Sequence, residues 1–145
     1  IKSSILNDFY STNIFAIYSV AKRIKSLDID RRLKEGDANL VMDIKNVTIN
    51  GKNKSFYSFA TKYCSHHDAE NYPIYDTYVD EVLRHFRRED KFCSFKNQDL
   101  KDYCQFKQIL IEFQKYYNIN CTLKDLDRYL WLLGKEFFNK FKKAP

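Results

Sequence analysis

The residue best placed to do chemistry in this chain is a carboxylate at the mouth of a helix. Ser58-Phe59-Ala60-Thr61-Lys62-Tyr63-Cys64-Ser65-His66-His67 reads as a helix, and Tyr72-Pro73-Ile74-Tyr75-Asp76-Thr77-Tyr78-Val79 reads as a proline-set entry into the next. Asp76 precedes an apolar helical pattern, so it is an N-cap or first-turn residue. A carboxylate there can bond orphan backbone N–H groups. It can also stand as a fixed anion in a cleft, stabilising positive charge and positioning water. Lys62 follows Ser58 by one turn on the same helix face. If desolvated, it could act as an amine nucleophile; otherwise it pairs with a carboxylate or reaches solvent along its stem. His66 and His67 resemble metal ligands, but neighbours on a helix point about 100° apart. No third ligand is placed by spacing, and histidine also suits a helix C-terminus. No metal site and no cofactor is expected.

Basic groups recur along the chain as Lys22/Arg23/Lys25, Arg31/Arg32/Lys34, Lys52/Lys54, Arg84/Arg87/Arg88 and Lys140/Lys142/Lys143. Helix-end cations can hold phosphates without reading sequence, though Asp28, Asp30, Glu35, Glu89 and Asp90 lie beside them. Tyr57, Tyr63, Tyr72, Tyr75 and Tyr78 crowd the central segment. They either line a pocket that stacks a flipped base or pack with their hydroxyls at the surface.

The elements that must position these groups are helices. Only 3 glycines and 2 prolines punctuate 145 residues, which argues against a turn-rich β fold. The length suits one domain with a real core. Aromatic residues make up 17%, with 11 Tyr and 12 Phe, and supply much burial per residue. The net charge of +6 and pI near 9.0 are compatible with nucleic acid or an acidic partner. Cys64, Cys93, Cys104 and Cys121 match no zinc or iron–sulfur spacing. They are expected to be reduced and mostly buried, which points to the cytoplasm. No apolar run approaches the ~20 residues of a membrane span. The first residue is Ile rather than Met, so the chain is expected to be trimmed at its N-terminus.

Periodicity predicts a helix over residues 5–25 with Ile14, Ile17, Tyr18, Ala21 and Ile24 on one stripe. A short helix from Asp28 to Glu35 should end at Gly36. Asp37 should cap a helix bearing Leu40, Val41, Ile44 and Val47. Asn50-Gly51 signals a turn; Val47–Ile49 are β-formers, yet Lys52–Lys54 offers no evident partner strand. Ser55 is expected to cap the helix to His66, with Phe56, Phe59, Ala60 and Tyr63 buried. Val79, Val82, Leu83 and Phe86 mark the helix after Asp76. Asp99 is expected to cap a long helix with Tyr103, Phe106, Leu110, Phe113 and Tyr117. Thr122 to Asp125 is a near capping box before a last helix with Leu126, Leu130, Leu133 and Phe137. Tyr129, Trp131 and Phe138 fall off that stripe, so the helix is central in the core or buried in a partner. The expectation is an all-α, single compact domain of six to eight helices over residues 1–145.

The central segment resembles the helix-hairpin-helix DNA glycosylase superfamily, especially its adenine-mismatch branch. Ser58 lies eighteen positions before Asp76, and Tyr72-Pro73-Ile74-Tyr75-Asp76 with Val79, Val82 and Leu83 is similar to the family's catalytic-aspartate segment. The resemblance implies that Asp76 matches the catalytic aspartate and Ser58 the position that is lysine in strand-cleaving members. It covers about 30 residues. The family's Leu-Pro-Gly-x-Gly hairpin is absent, with Lys54 and Phe56 at the aligned places, and so is its iron–sulfur cysteine cluster. The Ser58–His67 signature also looks like an uncharacterised bacterial protein family.

Together these readings predict a nucleic-acid-binding helical domain, either a divergent or an inactive DNA-glycosylase-like protein. Asp76 and Lys62 are the candidate catalytic residues. Lys52, Lys54, Ser58, Lys62, Arg84, Arg87 and Arg88 are the candidate DNA contacts. The alternative is a non-catalytic protein-interaction domain of immunity, regulatory or defence type, homodimeric or with a protein partner through the C-terminal helix. No membrane association is expected.

Overall fold

The computed structural model describes residues 17–142, and their side chains from 18 to 139. Residues 5–16 of the expected first helix, Ile14 among them, lie outside the described residues, as do the side chains of Ile17, Lys140, Lys142 and Lys143. The chain divides into two compact units, Ile1–Ile74 and Tyr75–Pro145. The all-α expectation holds: seven α-helices, one short 3-10 helix and one two-stranded ribbon account for the regular structure among the described residues.

In the first unit, α1 (Ile17–Lys25) buries Val20 and Ile24, one turn apart. Tyr18, expected on the inner stripe, is instead 80% exposed. The buried stripe passes through Val20, which rotates Tyr18 to the outer face. Next, α2 (Ile29–Lys34) stops at Gly36, whose φ of 65° is the left-handed conformation that glycine adopts freely. Arg32 on α2 bonds Asp37 and Asp43 at 2.7 Å each. The other Asp37 oxygen accepts the Asn39 N–H at 3.0 Å at the start of α3 (Asn39–Lys45). Leu40, Val41 and Ile44 of α3 are fully buried.

Val47 is not on that helix. It belongs to β1 (Asn46–Ile49), which pairs antiparallel with β2 (Lys52–Ser55) in the register Asn46↔Ser55, Val47↔Lys54, Thr48↔Asn53, Ile49↔Lys52. The partner strand that Lys52–Lys54 did not advertise therefore exists. All four β2 residues are exposed, so the strand carries no apolar pattern to read and is held by backbone pairing. Asn50 and Gly51 both have positive φ, as a two-residue hairpin turn requires. Ser55 is in the ribbon and does not cap α4 (Tyr57–His67); Phe56 holds that place without a side-chain cap bond. Instead the Phe56 N–H donates to the Lys45 carbonyl at 2.8 Å. The inner face of α4 carries Phe59, Ala60, Tyr63 and Cys64. The Tyr72 hydroxyl lies within hydrogen-bond reach of the Asp37 carbonyl at 3.1 Å and the Arg32 carbonyl at 3.3 Å.

The second unit opens with α5 (Thr77–Asp90), which buries Val79, Val82 and Leu83 and ends at Lys91 in the left-handed conformation. A short 3-10 helix (Asn97–Lys101) follows. Asp99 bonds the Lys96 N–H there, at 2.8 Å. The long helix α6 (Tyr103–Tyr117) is capped by Asp102, three residues later than expected, through the Gln105 N–H at 3.1 Å. The 3-10 turn consumed the first apparent cap. The last helix, α7 (Leu123–Lys142), starts as expected at Thr122, which accepts the Asp125 N–H at 3.1 Å. Gly134 lets α7 approach α5 closely: a β-carbon there would lie 2.9 Å from both Cβ and the carbonyl oxygen of Tyr78. Phe86, Phe92, Phe113 and Tyr117 form an aromatic cluster of edge-to-face contacts, with Phe113 and Tyr117 tilted, at ring centroid distances of 4.5–5.6 Å. Trp131 is half-buried on α7, with the Lys135 ammonium 4.8 Å from its ring one turn later. The Asp90 carboxylate accepts a short hydrogen bond from the Tyr117 hydroxyl.

Candidate nucleic-acid interface

Two elements of the first unit build an open polar cleft. The outer face of α1 turns Tyr18 and Lys22 outward because Val20 and Ile24 take the inner face, and Ser26 follows in the turn after the helix. The ribbon alternates in the same way. Val47 is buried, so Asn46 and Thr48 face the other side, and the register places Asn53 directly opposite Thr48. Between them lies a cleft of about 810 Å³, lined by Tyr18, Ser19, Lys22, Arg23, Ser26, Asn46, Val47, Thr48 and Asn53. Among the described residues, two cations and no acid line it. Arg23 is held in place by a bond from its Nε to the Asp43 carbonyl at 3.1 Å. The Thr48 hydroxyl donates to the Asn53 side-chain oxygen at 2.9 Å, which leaves the Asn53 amide N–H groups as donors.

The other candidates are dispersed. Lys52 and Lys54 are exposed on the ribbon, but their register partners Ile49 and Val47 put them on the face opposite Thr48 and Asn53. Ser58 and Lys62 are half-buried on α4, where the Ser58 carbonyl accepts from the Thr61 hydroxyl at 2.9 Å. Asp76 belongs to the second unit and Lys62 to the first. The Asp76 carboxylate accepts the Tyr78 N–H at 2.8 Å, the geometry of a helix cap. Arg84 forms an ion pair with Asp80 at 2.6 Å, and Asp80 also accepts the Tyr75 hydroxyl at 2.7 Å. Arg87 donates to the Phe95 carbonyl at 2.6 Å and to Asn97 at 2.8 Å, lying over the Phe95 ring. Arg88 is exposed. Two of the three α5 arginines are therefore committed within their own unit, and the three do not make one free patch.

His66 and His67 stand nearly perpendicular, with centroids 5.5 Å apart, and His67 leans on Tyr63 at 4.8 Å. Among the described residues, no group of three or more His, Cys, Asp or Glu could hold a metal ion. The cysteines are all free, but only Cys64 is buried; Cys104 is exposed and Cys93 and Cys121 lie between. Burial pushes the Cys64 thiol up to about 12. Desolvation acts to raise the Asp37 carboxyl, but the Arg32 guanidinium and the Asn39 amide outweigh it and hold that group below its ordinary range. Two smaller hollows occur in the second unit. One of about 110 Å³ is apolar, between Val82, His85 and Phe86 of α5 and Leu133, Phe137 and Phe138 of α7. The other, of about 490 Å³, lies at the C-terminal end of α6 beside Gln114 and Cys121. Asp76 lines none of the three. No helix among the described residues is long and apolar enough to cross a membrane.

Sequence reasoning named Lys22 and Arg23 but missed Tyr18, Asn46, Thr48 and Asn53. The alternation Asn46-Val47-Thr48-Ile49 around an Asn-Gly turn was the available signal, and a polar β2 obscured it.

A protein of Haemophilus influenzae, described as uncharacterised, is 57% identical over 140 residues, which cover 96% of this chain and 67% of the relative. The chain belongs to the family of that protein. The HI_0787_N family model, described as an N-terminal domain, matches residues 1–72. That match ends two residues before the first structural unit does. The whole α1–ribbon cleft falls inside it. Neither description names a glycosylase, and the segment before α4 is a β-ribbon rather than a glycine-rich helix-hairpin-helix loop. No solved structure matches the chain.

Proposed function

We propose that the chain is a nucleic-acid-binding module whose contact surface is the cleft between α1 and the ribbon. One observation carries the reading: a large open cleft whose described lining is two cations, several amides and hydroxyls, and no carboxylate. Lysine and arginine neutralise phosphates, while amides and hydroxyls fix the backbone. Lys22 makes no ion pair among the described residues, so it has no acid to surrender on binding. The overall charge of +6 favours approach of a polyanion. The cap bond of Asp76 supports binding over glycosylase chemistry, since the carboxylate already has a structural task. A glycosylase would add base release that the Asp76→Asn variant loses. The test is fluorescence anisotropy with a labelled oligonucleotide across a salt series. Affinity should fall linearly with salt on logarithmic axes, and Lys22→Glu should weaken binding and flatten the slope. A salt-independent signal, or none at low salt, defeats the reading.

A second reading has its own observation. Tyr129 and Leu132 of α7 are each 56% exposed and one turn apart. Two large apolar side chains side by side on one helix face favour a protein partner, a second copy being the simplest. Light scattering behind size exclusion should then give a dimer mass that Leu132→Lys reduces to the monomer.

A further inference from the structure

We infer that the α1–ribbon cleft takes a single strand of nucleic acid, with one base stacked on the Tyr18 ring. The inference rests on the nucleic-acid reading above and names the form of the ligand. Tyr18 is the most exposed large apolar side chain among the described residues, at 80%, and it stands at the edge of the cleft. Lys22 follows it by one turn on the same helix face, so an aromatic plane and an ammonium are neighbours. Channels that bind single strands pair an aromatic platform for the base with a cationic track for its phosphate. Asn53, with its carbonyl oxygen occupied by Thr48, offers N–H donors from the opposite wall. The shape points the same way. A duplex keeps its base faces stacked inside and is read by a convex helix or ribbon entering its groove. A concave cleft with an open ring at its rim fits an unstacked base.

The experiment uses the full chain and three labelled probes at low salt: oligothymidylate, oligouridylate and a duplex of the same length. Both single strands should bind more tightly than the duplex; binding of only one also supports the inference. Tyr18→Ala should weaken single-strand binding by roughly 5- to 150-fold, the span of one base stacked on one ring. Tyr18→Phe should keep wild-type affinity, because the ring face is retained. Tyr18 is exposed, and circular dichroism of each variant checks that the fold persists. Equal affinity for the duplex, an unaffected Tyr18→Ala variant, or a Tyr18→Phe variant as weak as Tyr18→Ala overturns the single-strand inference while the nucleic-acid reading stands. Absence of binding to all three probes overturns both.

Discussion

Replacing Gly134 with alanine should destabilise the second unit, although alanine is the better helix former. Alanine is favoured over glycine in a helix interior by about 1 kcal/mol. Against this stands the crossing of α5 and α7. The new methyl carbon would lie 2.9 Å from Tyr78 Cβ, 2.9 Å from the Tyr78 carbonyl oxygen and 3.0 Å from Val82 Cγ2. The valine methyl can yield a little. A β-carbon and a main-chain carbonyl cannot rotate away, so the helices themselves must part. Overpacking of this kind costs about 1–3 kcal/mol, and immovable neighbours place this site in the upper half of that range. The net expectation is a loss of about 1–2 kcal/mol, after the alanine gain is subtracted from the packing cost. The assay is urea denaturation followed by far-ultraviolet circular dichroism. The midpoint should fall with little change in slope, and the melting temperature should drop by about 2–8 °C. Adding Val82→Ala should not restore stability, because the Tyr78 contacts remain and the buried valine methyls are lost. A Gly134→Ala protein as stable as wild type, or more so, would refute the close-crossing argument.

Two further outcomes follow from the capping and burial described above. Asp76→Ala should cost about 1 kcal/mol of stability and Asp76→Asn only a few tenths, since asparagine caps as well as aspartate; equal losses in thermal melts would show that charge rather than the cap bond matters. Cys64 is held protonated by burial, with its folded value raised to about 12 above the ordinary thiol range. The sign is therefore a stabilisation that is complete below the unfolded thiol value near ~8.5 and declines as pH rises toward the folded one, by at most about 1.4 kcal/mol per pH unit. Ellman's reagent should label exposed Cys104 at once and Cys64 only on unfolding; immediate labelling of all four thiols contradicts the burial.

Much of the helical frame was readable because periodicity and caps agree. Val79, Val82 and Leu83 after Asp76, and Leu126 and Leu130 after Thr122, are buried as their spacing requires. The failures share a physical cause. Several residues able to cap a helix often compete, and only packing selects one: Asp102 displaced Asp99 because a 3-10 turn intervened. A fully exposed strand held by backbone pairing and one polar side-chain bond, such as Lys52–Ser55, has no apolar pattern to betray it. Charge runs say nothing of commitment. Arg84 and Arg87 read as free cations in sequence, yet they are bound to Asp80, Phe95 and Asn97. The candidate cleft depended on the rotation of α1 by a single residue, from Tyr18 inward to Tyr18 outward, which a short amphipathic segment does not fix.

The lone indole of the chain, Trp131, sits on α7 with a lysine over its face, so its emission is an optical reporter for the C-terminal half alone. Circular dichroism averages over both halves. Overlaying the two unfolding curves therefore asks whether the halves melt as one cooperative body or in succession, with no label added to the protein.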